Sequence, residues 1–184
     1  MGYIAVIDTE TNWIDQVMSI GTVIADRDSY AMIDAKYQVL TPEYLVGGMY
    51  ESTLFADPKL QPSILNRADA LTELTGWFQA YGVTEIFAYN ASFDRNHLPE
   101  LRGYAWYDIM RLAAYRQFNP KIPANADFCS TGRLKRNYGV EPMYRLLCGT
   151  SCYNETHNAL HDAVDELKIM KALGHPLSAY IPLK

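Results

Sequence analysis

The sequence predicts an α/β fold in which helices pack on both faces of a mixed sheet. Three observations support this prediction. Short apolar segments typical of strands come first in the chain, and turn-prone residues separate them. The later part of the chain then alternates strand and helix patterns. This order of elements is typical of a mixed sheet covered by helices.

Five segments have the composition of strands. Residues 3–8 form a short apolar run that suits a strand covered on both faces. Residues 17–25 and 36–40 follow after turn-prone residues, so we expect the first three strands to form an antiparallel meander. Residues 85–89 predict a fourth strand, and residues 104–107 could form a fifth.

The remaining periodic segments predict helices. The longest of the early ones covers residues 63–80, where apolar side chains recur at helical spacing and Gly82 provides a stop signal. Four further helices are expected over residues 94–101, 109–117, 130–138 and 157–173.

Length and composition indicate one domain. The chain has 184 residues, of which 49% are hydrophobic, and this supports one well-formed core over residues 1–184. No apolar run approaches the roughly 20 residues of a membrane span, and the first residues lack the basic start of a signal peptide, so we expect a cytoplasmic protein. The cysteines lack disulfide-framework spacing and should be free thiols.

The charge balance excludes one class of function. A net charge of −5 with only 16 Lys and Arg residues argues against a passive coat for nucleic acid, which needs clustered basic residues. It does not exclude an enzyme that acts on nucleic acid. A site that holds two divalent cations must concentrate carboxylates, and its bound ions then present positive charge to a phosphodiester.

The first candidate site element is Asp8-x-Glu10, after the apolar run of the first strand. Side chains two positions apart in a strand share a face, so both carboxylates can reach one metal ion. An acid-x-acid pair also occurs by chance in a chain with 21 acids. Burial makes the pair informative, because unpaired buried carboxylates need cations or protons.

The second element is Asp94, where a strand ends and a helix can start. Ser92 is a candidate N-cap, which would place Asp94 in the first helical turn. Taken alone, Asp94 is better interpreted as an ordinary acid at a helix start.

The third element is His157-x-x-x-x-Asp162 on the last predicted helix. With about 100° per residue, Asp162 falls on the edge of the apolar arc, whereas His161 and Asp165 fall on the solvent face. His157 can share a site with Asp162 only if it lies at the start of the helix, which Thr156 as N-cap would allow.

Together these elements resemble a known family. Asp8-x-Glu10, Asn90-x-x-x-Asp94 and His157-x-x-x-x-Asp162 are similar, in order and separation, to the three motifs of the DEDDh branch of the DnaQ-like 3′→5′ exonucleases. The flanking segments IDTET, AYNASFD and HNALHDA resemble the corresponding family segments. The resemblance extends from residue 3 to about residue 173.

The resemblance implies a ribonuclease H-like fold with a five-stranded mixed sheet. It also implies metal ligands at Asp8, Glu10, Asp94 and Asp162, two Mg²⁺ or Mn²⁺ ions, and His157 as general base. The implied reaction removes nucleoside 5′-monophosphates from the 3′ end of single-stranded DNA or RNA. Hard cations prefer such oxygen ligands, and an imidazole can take a proton at neutral pH.

Residues within and beside the motifs are the candidates for substrate binding: Thr9, Thr11, Trp13, Asn90 and Phe93. Trp13 stands where many relatives have glycine, and its ring could stack on a terminal base or belong to the core or rim. Tyr89 replaces a histidine of many relatives and is interpreted as a packing residue.

Two other groups of residues have competing interpretations. Cys148, Cys152, His157 and His161 could in principle hold zinc, although only four residues separate Cys152 from His157, against about twelve in the usual finger. A basic group could contact phosphates or could be a solvated helical face; it consists of Arg133, Lys135, Arg136 and Arg145. Arg95 could contact a phosphate or form a structural ion pair.

The leading functional hypothesis is an exonuclease, acting alone or as the proofreading partner of a polymerase. The alternative is a catalytically silent module on the same fold that binds nucleic acid or protein. The complete set of four acids and one histidine disfavours the alternative. The sequence leaves DNA against RNA and the oligomeric state open.

Overall fold

A six-stranded sheet forms the centre of the computed structural model, which describes residues 2–184. Its strands are β1 (Tyr3–Thr11), β2 (Val17–Asp26), β3 (Met32–Leu40), β4 (Ser63–Leu65), β5 (Glu85–Ala88) and β6 (Ala105–Asp108). They lie in the order β4-β3-β2-β1-β5-β6. β1 pairs antiparallel with β2, and β2 with β3, whereas β5 runs parallel to β1 and to β6. The predicted antiparallel meander is therefore confirmed.

Five helices accompany the sheet. They are α1 (Arg67–Tyr81), α2 (Ser92–His97), α3 (Met110–Ala113), α4 (Val140–Cys148) and α5 (Ala159–Leu173). Short 3-10 turns cover Glu43–Val46, Glu51–Thr53, Pro99–Leu101 and Leu177–Ala179. Gly82 ends α1 in a left-handed conformation with φ of 67°, as its position after the periodic segment predicts.

Helices cover both faces of the sheet, as expected. On one face, Val6 of β1 packs with Ala163 and Leu167 of α5 in a core that α3 and α4 also join. On the other face, Ile7 packs with Leu74 of α1 in a second core. Successive residues of β1 thus enter different cores, and this alternation directs Asp8 and Glu10 to the α5 side.

A glycine allows α5 to lie directly against β2. A Cβ atom added to Gly21 would lie 2.1 Å from the main-chain carbonyl carbon of Ala159, the first residue of α5. Only a residue without a side chain permits this approach. Gly21 is also paired with Asp8 across β1 and β2, so the contact holds the start of α5 beside the first carboxylate.

The expectation of five strands is wrong, because residues 63–65 form strand β4 instead of the first turn of a helix. β4 pairs parallel with β3 at the sheet edge, and Ile64 remains 51% exposed there. The helix starts at Arg67, where the Asn66 side chain accepts a hydrogen bond from the Asp69 main-chain N–H at 2.9 Å. Pairing with β3 satisfies the backbone of residues 63–65 better than an extra helical turn.

Several predicted helix limits are also wrong. Residues 130–138 form turns and isolated bridges, including Tyr115 to Arg133, and the helix of this region is α4. The helix predicted over residues 109–117 ends at Ala113, and the one predicted over residues 94–101 covers Ser92–His97. After α2 the chain continues in the 3-10 turn Pro99–Leu101, whereas the segment after α3 bonds to residues 132–134: the main-chain N–H of Arg116 donates to Gly132, and that of Leu134 to Ala114.

Two expectations about the whole chain can be compared with residues 2–184. Within that range, no helix combines the length and the apolar composition that crossing a bilayer requires. Cys129, Cys148 and Cys152 are free thiols, as predicted.

Candidate active site

Asp8 and Glu10 project from β1 toward α5. The pairing of β1 with β2 shifts register between Glu10 and Thr11, which is a bulge of the kind that redirects side chains. The strand continues through Thr11, so the two acids lie within its last residues. Both carboxyl groups are partly buried.

Asp94 approaches the same place from α2. It lies in the first turn of that helix and is only 2% exposed. The Thr9 hydroxyl donates a hydrogen bond to Asp94 Oδ1 at 2.7 Å, which ties β1 to α2. Ser92 is the first helical residue and not the predicted N-cap, because Ala91 occupies the cap position without a side-chain hydrogen bond.

Asp162 and His157 come from the start of α5. Asn158, not Thr156, caps this helix: its side chain accepts hydrogen bonds from the main-chain N–H groups of Leu160 and His161. Asp162 is 2% exposed in the first helical turn. His157 lies outside the helix, just before the cap, in a left-handed conformation with φ of 51°.

The structure brings Glu10, His157 and Asp162 together most closely, with one ligand atom of each within 4.8 Å of the others. Asp8 and Asp94 lie outside this tight group. Asp94 and Asp8 lie near enough to interact with it electrostatically: after burial, the charges of Asp162 and Asp94 contribute to the raised pKa of Glu10, and those of Asp94 and Asp162 to the raised pKa of Asp8. The cluster named here consists of Glu10, His157 and Asp162 together with Asp8 and Asp94 beside them.

Burial and mutual repulsion favour the protonated acids. Burial, followed by the charges of Asp162 and Glu155, raises the pKa of Glu10 to about 8. Burial, then Glu155, raises the pKa of Asp162 to about 8. Burial raises the pKa of Asp94 to about 7 although the Thr9 hydrogen bond opposes the rise, and burial raises the pKa of Asp8 well above its usual range. The cluster needs protons or cations to be stable.

The donor atoms fit divalent cations. Asp8 Oδ2 is buried and has no hydrogen-bond partner among residues 2–184, so it is available to a cation. The surrounding donors are carboxylate oxygens and one imidazole, which suit Mg²⁺ or Mn²⁺. Asp8, Glu10, Asp94 and Asp162 are the residues that could hold such ions.

Motif spacing did not identify one acid beside the cluster. Glu166 is 1% exposed, and its Oε2 atom is buried without a partner in the described part of the chain. Burial, then the charge of Asp94, raises its pKa well above the usual range, and it in turn raises the pKa of Asp8. Its position four residues after Asp162, on the same side of α5, is the sequence signal that could have found it.

The expectation that Asp165 is on the surface is wrong. Asp165 is 7% exposed, accepts a hydrogen bond from the Tyr153 hydroxyl at 2.6 Å, and pairs with Lys168 at 2.8 Å. The loop before α5 covers this face of the helix. His161 is partly exposed and pairs with Asp57 at 3.2 Å.

A cavity opens next to Glu10. Its lining residues are Thr9, Glu10, Thr11, Asn12, Trp13, Met49, Tyr50 and Phe93. Four of the five candidate substrate-binding residues therefore surround it. Trp13 is 66% exposed, which excludes its interpretation as a core residue and leaves its ring available on the rim.

Asn90 and Tyr89 have structural roles. Asn90 does not line this cavity; it turns the chain with φ of 62°, and its main-chain N–H donates to Asp108 Oδ1 at 3.0 Å. Tyr89 is 8% exposed and donates its hydroxyl hydrogen to the Tyr138 carbonyl, which agrees with its interpretation as a packing residue.

Cys148 and Cys152 lie outside the metal-binding candidate: within residues 2–184, the one group of ligand side chains close enough to share an ion contains neither of them. The Arg133 guanidinium lies over the Tyr138 ring at 4.4 Å, on an irregular segment and not on a helix. Arg95 donates a hydrogen bond to the carbonyl oxygen of Lys184 at 2.7 Å.

Comparison with known proteins identifies the fold. No protein-family model and no curated protein sequence matches the chain. Among solved structures, it is similar to the nuclease domain of 3′hExo, a DEDDh family member, bound to rAMP. That match has a TM-score of 0.65 and 12% identity, over 99% of this chain and 96% of that chain.

Two further solved structures agree. Exonuclease X in complex with 5′ overhanging duplex DNA matches with a TM-score of 0.56 and 21% identity, over 91% of this chain and 90% of that chain. E. coli exonuclease I in complex with a dT13 oligonucleotide matches with a TM-score of 0.61 and 13% identity, over 97% of this chain and 42% of that chain. The chain thus shares the fold of these nucleases.

Proposed function

We propose that this chain is a metal-dependent 3′→5′ exonuclease that removes nucleoside 5′-monophosphates from the 3′ end of single-stranded DNA or RNA. The observation that carries the proposal is the convergence of β1, α2 and α5. These elements supply four carboxyl groups, and the residue before the N-cap of α5 supplies one imidazole, beside a cavity with an exposed aromatic rim. The exonuclease fold supports the same conclusion.

Asp8, Glu10, Asp94 and Asp162 would hold two Mg²⁺ or Mn²⁺ ions. When bound, these ions stabilise the charge on the attacking and leaving oxygens of a phosphodiester. The raised pKa values of Glu10 and Asp162, about 8 each, mean that metal binding must displace protons. Activity should therefore increase with pH through this range.

His157 serves as the general base. Its side chain lies within 4.8 Å of Glu10 and Asp162 ligand atoms, and it is partly open to solvent. A neutral imidazole in this place can accept the proton of the attacking water.

The cavity beside Glu10 receives the terminal nucleotide. Trp13 is 66% and Phe93 39% exposed on its rim, so each presents an aromatic face to a base. Stacking of this kind contributes roughly 1–3 kcal/mol per base and does not depend on base identity. We therefore expect little sequence preference.

One experiment tests the proposal. Single-stranded DNA and RNA labelled at the 5′ end are incubated with Mg²⁺ or Mn²⁺, and a ladder that shortens stepwise from the 3′ end is expected. Asp8→Asn and His157→Asn should abolish the ladder. His161→Asn, in the first turn of α5 but outside the cluster, should preserve it.

The outcomes separate the proposal from its alternative. If the unaltered protein binds the labelled strands but shortens none of them with either metal, the proposal is wrong and a silent binding module is favoured. Retention of the ladder by Asp8→Asn would also overturn the site assignment.

A further inference from the structure

His157 is held in an unusual backbone conformation. Its φ of 51° lies in the left-handed region that a residue with a Cβ atom rarely adopts. Such residues keep this conformation only where the surrounding structure holds them. The contacts that hold His157 therefore determine where its imidazole points.

The main chain at His157 is held by the turn Glu51–Thr53. The Thr53 hydroxyl donates a hydrogen bond to the His157 carbonyl oxygen. The side chain of the next residue, Asn158, donates to the Thr53 carbonyl and to the Tyr37 hydroxyl, at 3.0 Å each. These bonds attach the peptide before α5 to the turn, but they leave the imidazole free to rotate about its side-chain bonds.

The ring of Tyr50 removes that freedom. It lies parallel to the His157 imidazole, with ring centroids 3.9 Å apart and an interplanar angle of 12°. Tyr50 immediately precedes the turn that holds the His157 peptide, so the ring and the main chain are fixed by one short segment. Tyr50 also lines the cavity next to Glu10.

We propose that Tyr50 is a positioning residue that holds the His157 imidazole toward Glu10 and Asp162 and links this orientation to occupation of the cavity by the terminal nucleotide. The inference deepens the proposed exonuclease function and rests on it. A nucleotide that packs against Tyr50 restricts the motion of the Tyr50 ring. The ring in turn restricts the rotation of the His157 imidazole. The stack uses the aromatic face of Tyr50 and not its hydroxyl.

Two substitutions separate the ring from the hydroxyl. Tyr50→Phe keeps the ring and should keep turnover close to that of the unaltered protein. Tyr50→Leu removes it, and kcat should fall about 10- to 100-fold because a misplaced catalytic group loses most of its effect. Trp13→Leu removes a different aromatic side chain of the cavity and should raise KM more than it lowers kcat.

A second readout does not require catalysis. In the metal-free protein labelled with ¹³C-histidine, stacking on Tyr50 should shift the His157 ring-proton signal upfield. Tyr50→Phe and Trp13→Leu should retain this shift, and Tyr50→Leu should lose it. Thermal unfolding of each variant verifies that the fold is intact.

The results distinguish this inference from the proposed function. If the unaltered protein has no nuclease activity but shows the upfield signal, the exonuclease proposal fails while the stack is real. If Tyr50→Leu retains both kcat and the upfield signal, Tyr50 does not position His157. A loss of kcat in Tyr50→Phe equal to that in Tyr50→Leu would also overturn the inference, because the hydroxyl would then be responsible.

Discussion

The metal-free protein should become less stable as the pH rises from about 5 to about 8.5, because the folded state binds more protons than the unfolded state in this range. The pKa of Glu10 rises from 4.5 to about 8 on folding, and that of Asp162 from 3.8 to about 8. Their stabilising contribution is therefore fully present below the unfolded values and is lost as the pH approaches 8. Divalent cations replace the protons and should cancel the loss.

The size of the effect can be worked from one carboxyl group. A rise of about three pKa units corresponds to roughly 4 kcal/mol of stability. Burial is the largest cause of both shifts, and the charge of Asp162 also contributes to the raised pKa of Glu10, so the two effects cannot be added. A change of 1 kcal/mol moves the unfolding midpoint of a domain this size by about 2–4 °C. We therefore expect the midpoint to fall by about 10 °C across this range.

Circular dichroism at increasing temperature, in chelator, measures this midpoint at each pH. Addition of Mn²⁺ should raise it most at the high end of the range. Asp94→Asn removes one buried charge and should flatten the dependence, whereas Asp28→Asn, an exposed acid in the β2–β3 turn, should leave it unchanged. A midpoint in chelator that is constant or rises between the two pH limits would refute the reasoning.

Three other variants, the last with a matched control, test individual residues. Glu166→Gln removes a buried ionisable carboxyl and should raise the thermal midpoint of the metal-free protein at alkaline pH. A lower midpoint would contradict the raised pKa of Glu166. Thr9→Val removes the 2.7 Å hydrogen bond to Asp94 and should weaken Mn²⁺ binding about 10- to 100-fold in calorimetric titration, because such a bond to a charged group contributes about 1.5–3 kcal/mol. Gly21→Ala should lower the free energy of unfolding in urea by about 3 kcal/mol through overpacking against α5. Gly76→Ala, in a helix with open space around it, should raise the free energy of unfolding by about 0.5–1 kcal/mol. Equal effects of the two alanine substitutions would exclude the proposed clash between residue 21 and α5.

The central strands could be predicted from the sequence because their apolar runs meet a core on both faces. β1 and β2 start at the predicted residues, and β5 starts at Glu85 as expected. β4 could not be predicted, since it has three residues, one of them the exposed Ile64, and is defined by pairing with a strand more than twenty positions away. Likewise, bridges to distant residues replace the helix expected over residues 130–138.

The candidate site could be predicted where motif order and spacing carry the information. Of the five motif residues, the structure brings Glu10, His157 and Asp162 within 4.8 Å of one another, and Asp8 and Asp94 interact with this group electrostatically. The burial of side chains on α5 was harder to predict, because a helical wheel assumes that solvent covers the polar face of a helix. Tyr153 covers that face and buries Asp165. The motifs also did not identify Glu166, because it occupies none of their positions although it lies beside the predicted ligands.

The close approach of α5 to β2 has a consequence for any attempt to rebuild this site elsewhere. Gly21 is paired with Asp8 across the sheet and admits the backbone of Ala159, so the gap between the first and third motifs is set by main-chain atoms in contact. A designer who grafts the four acids and the histidine onto another scaffold would obtain ligands that are too far apart. The grafted unit must therefore also include Gly21 of β2, which binds no ligand but, having no side chain, leaves room for the main chain of α5.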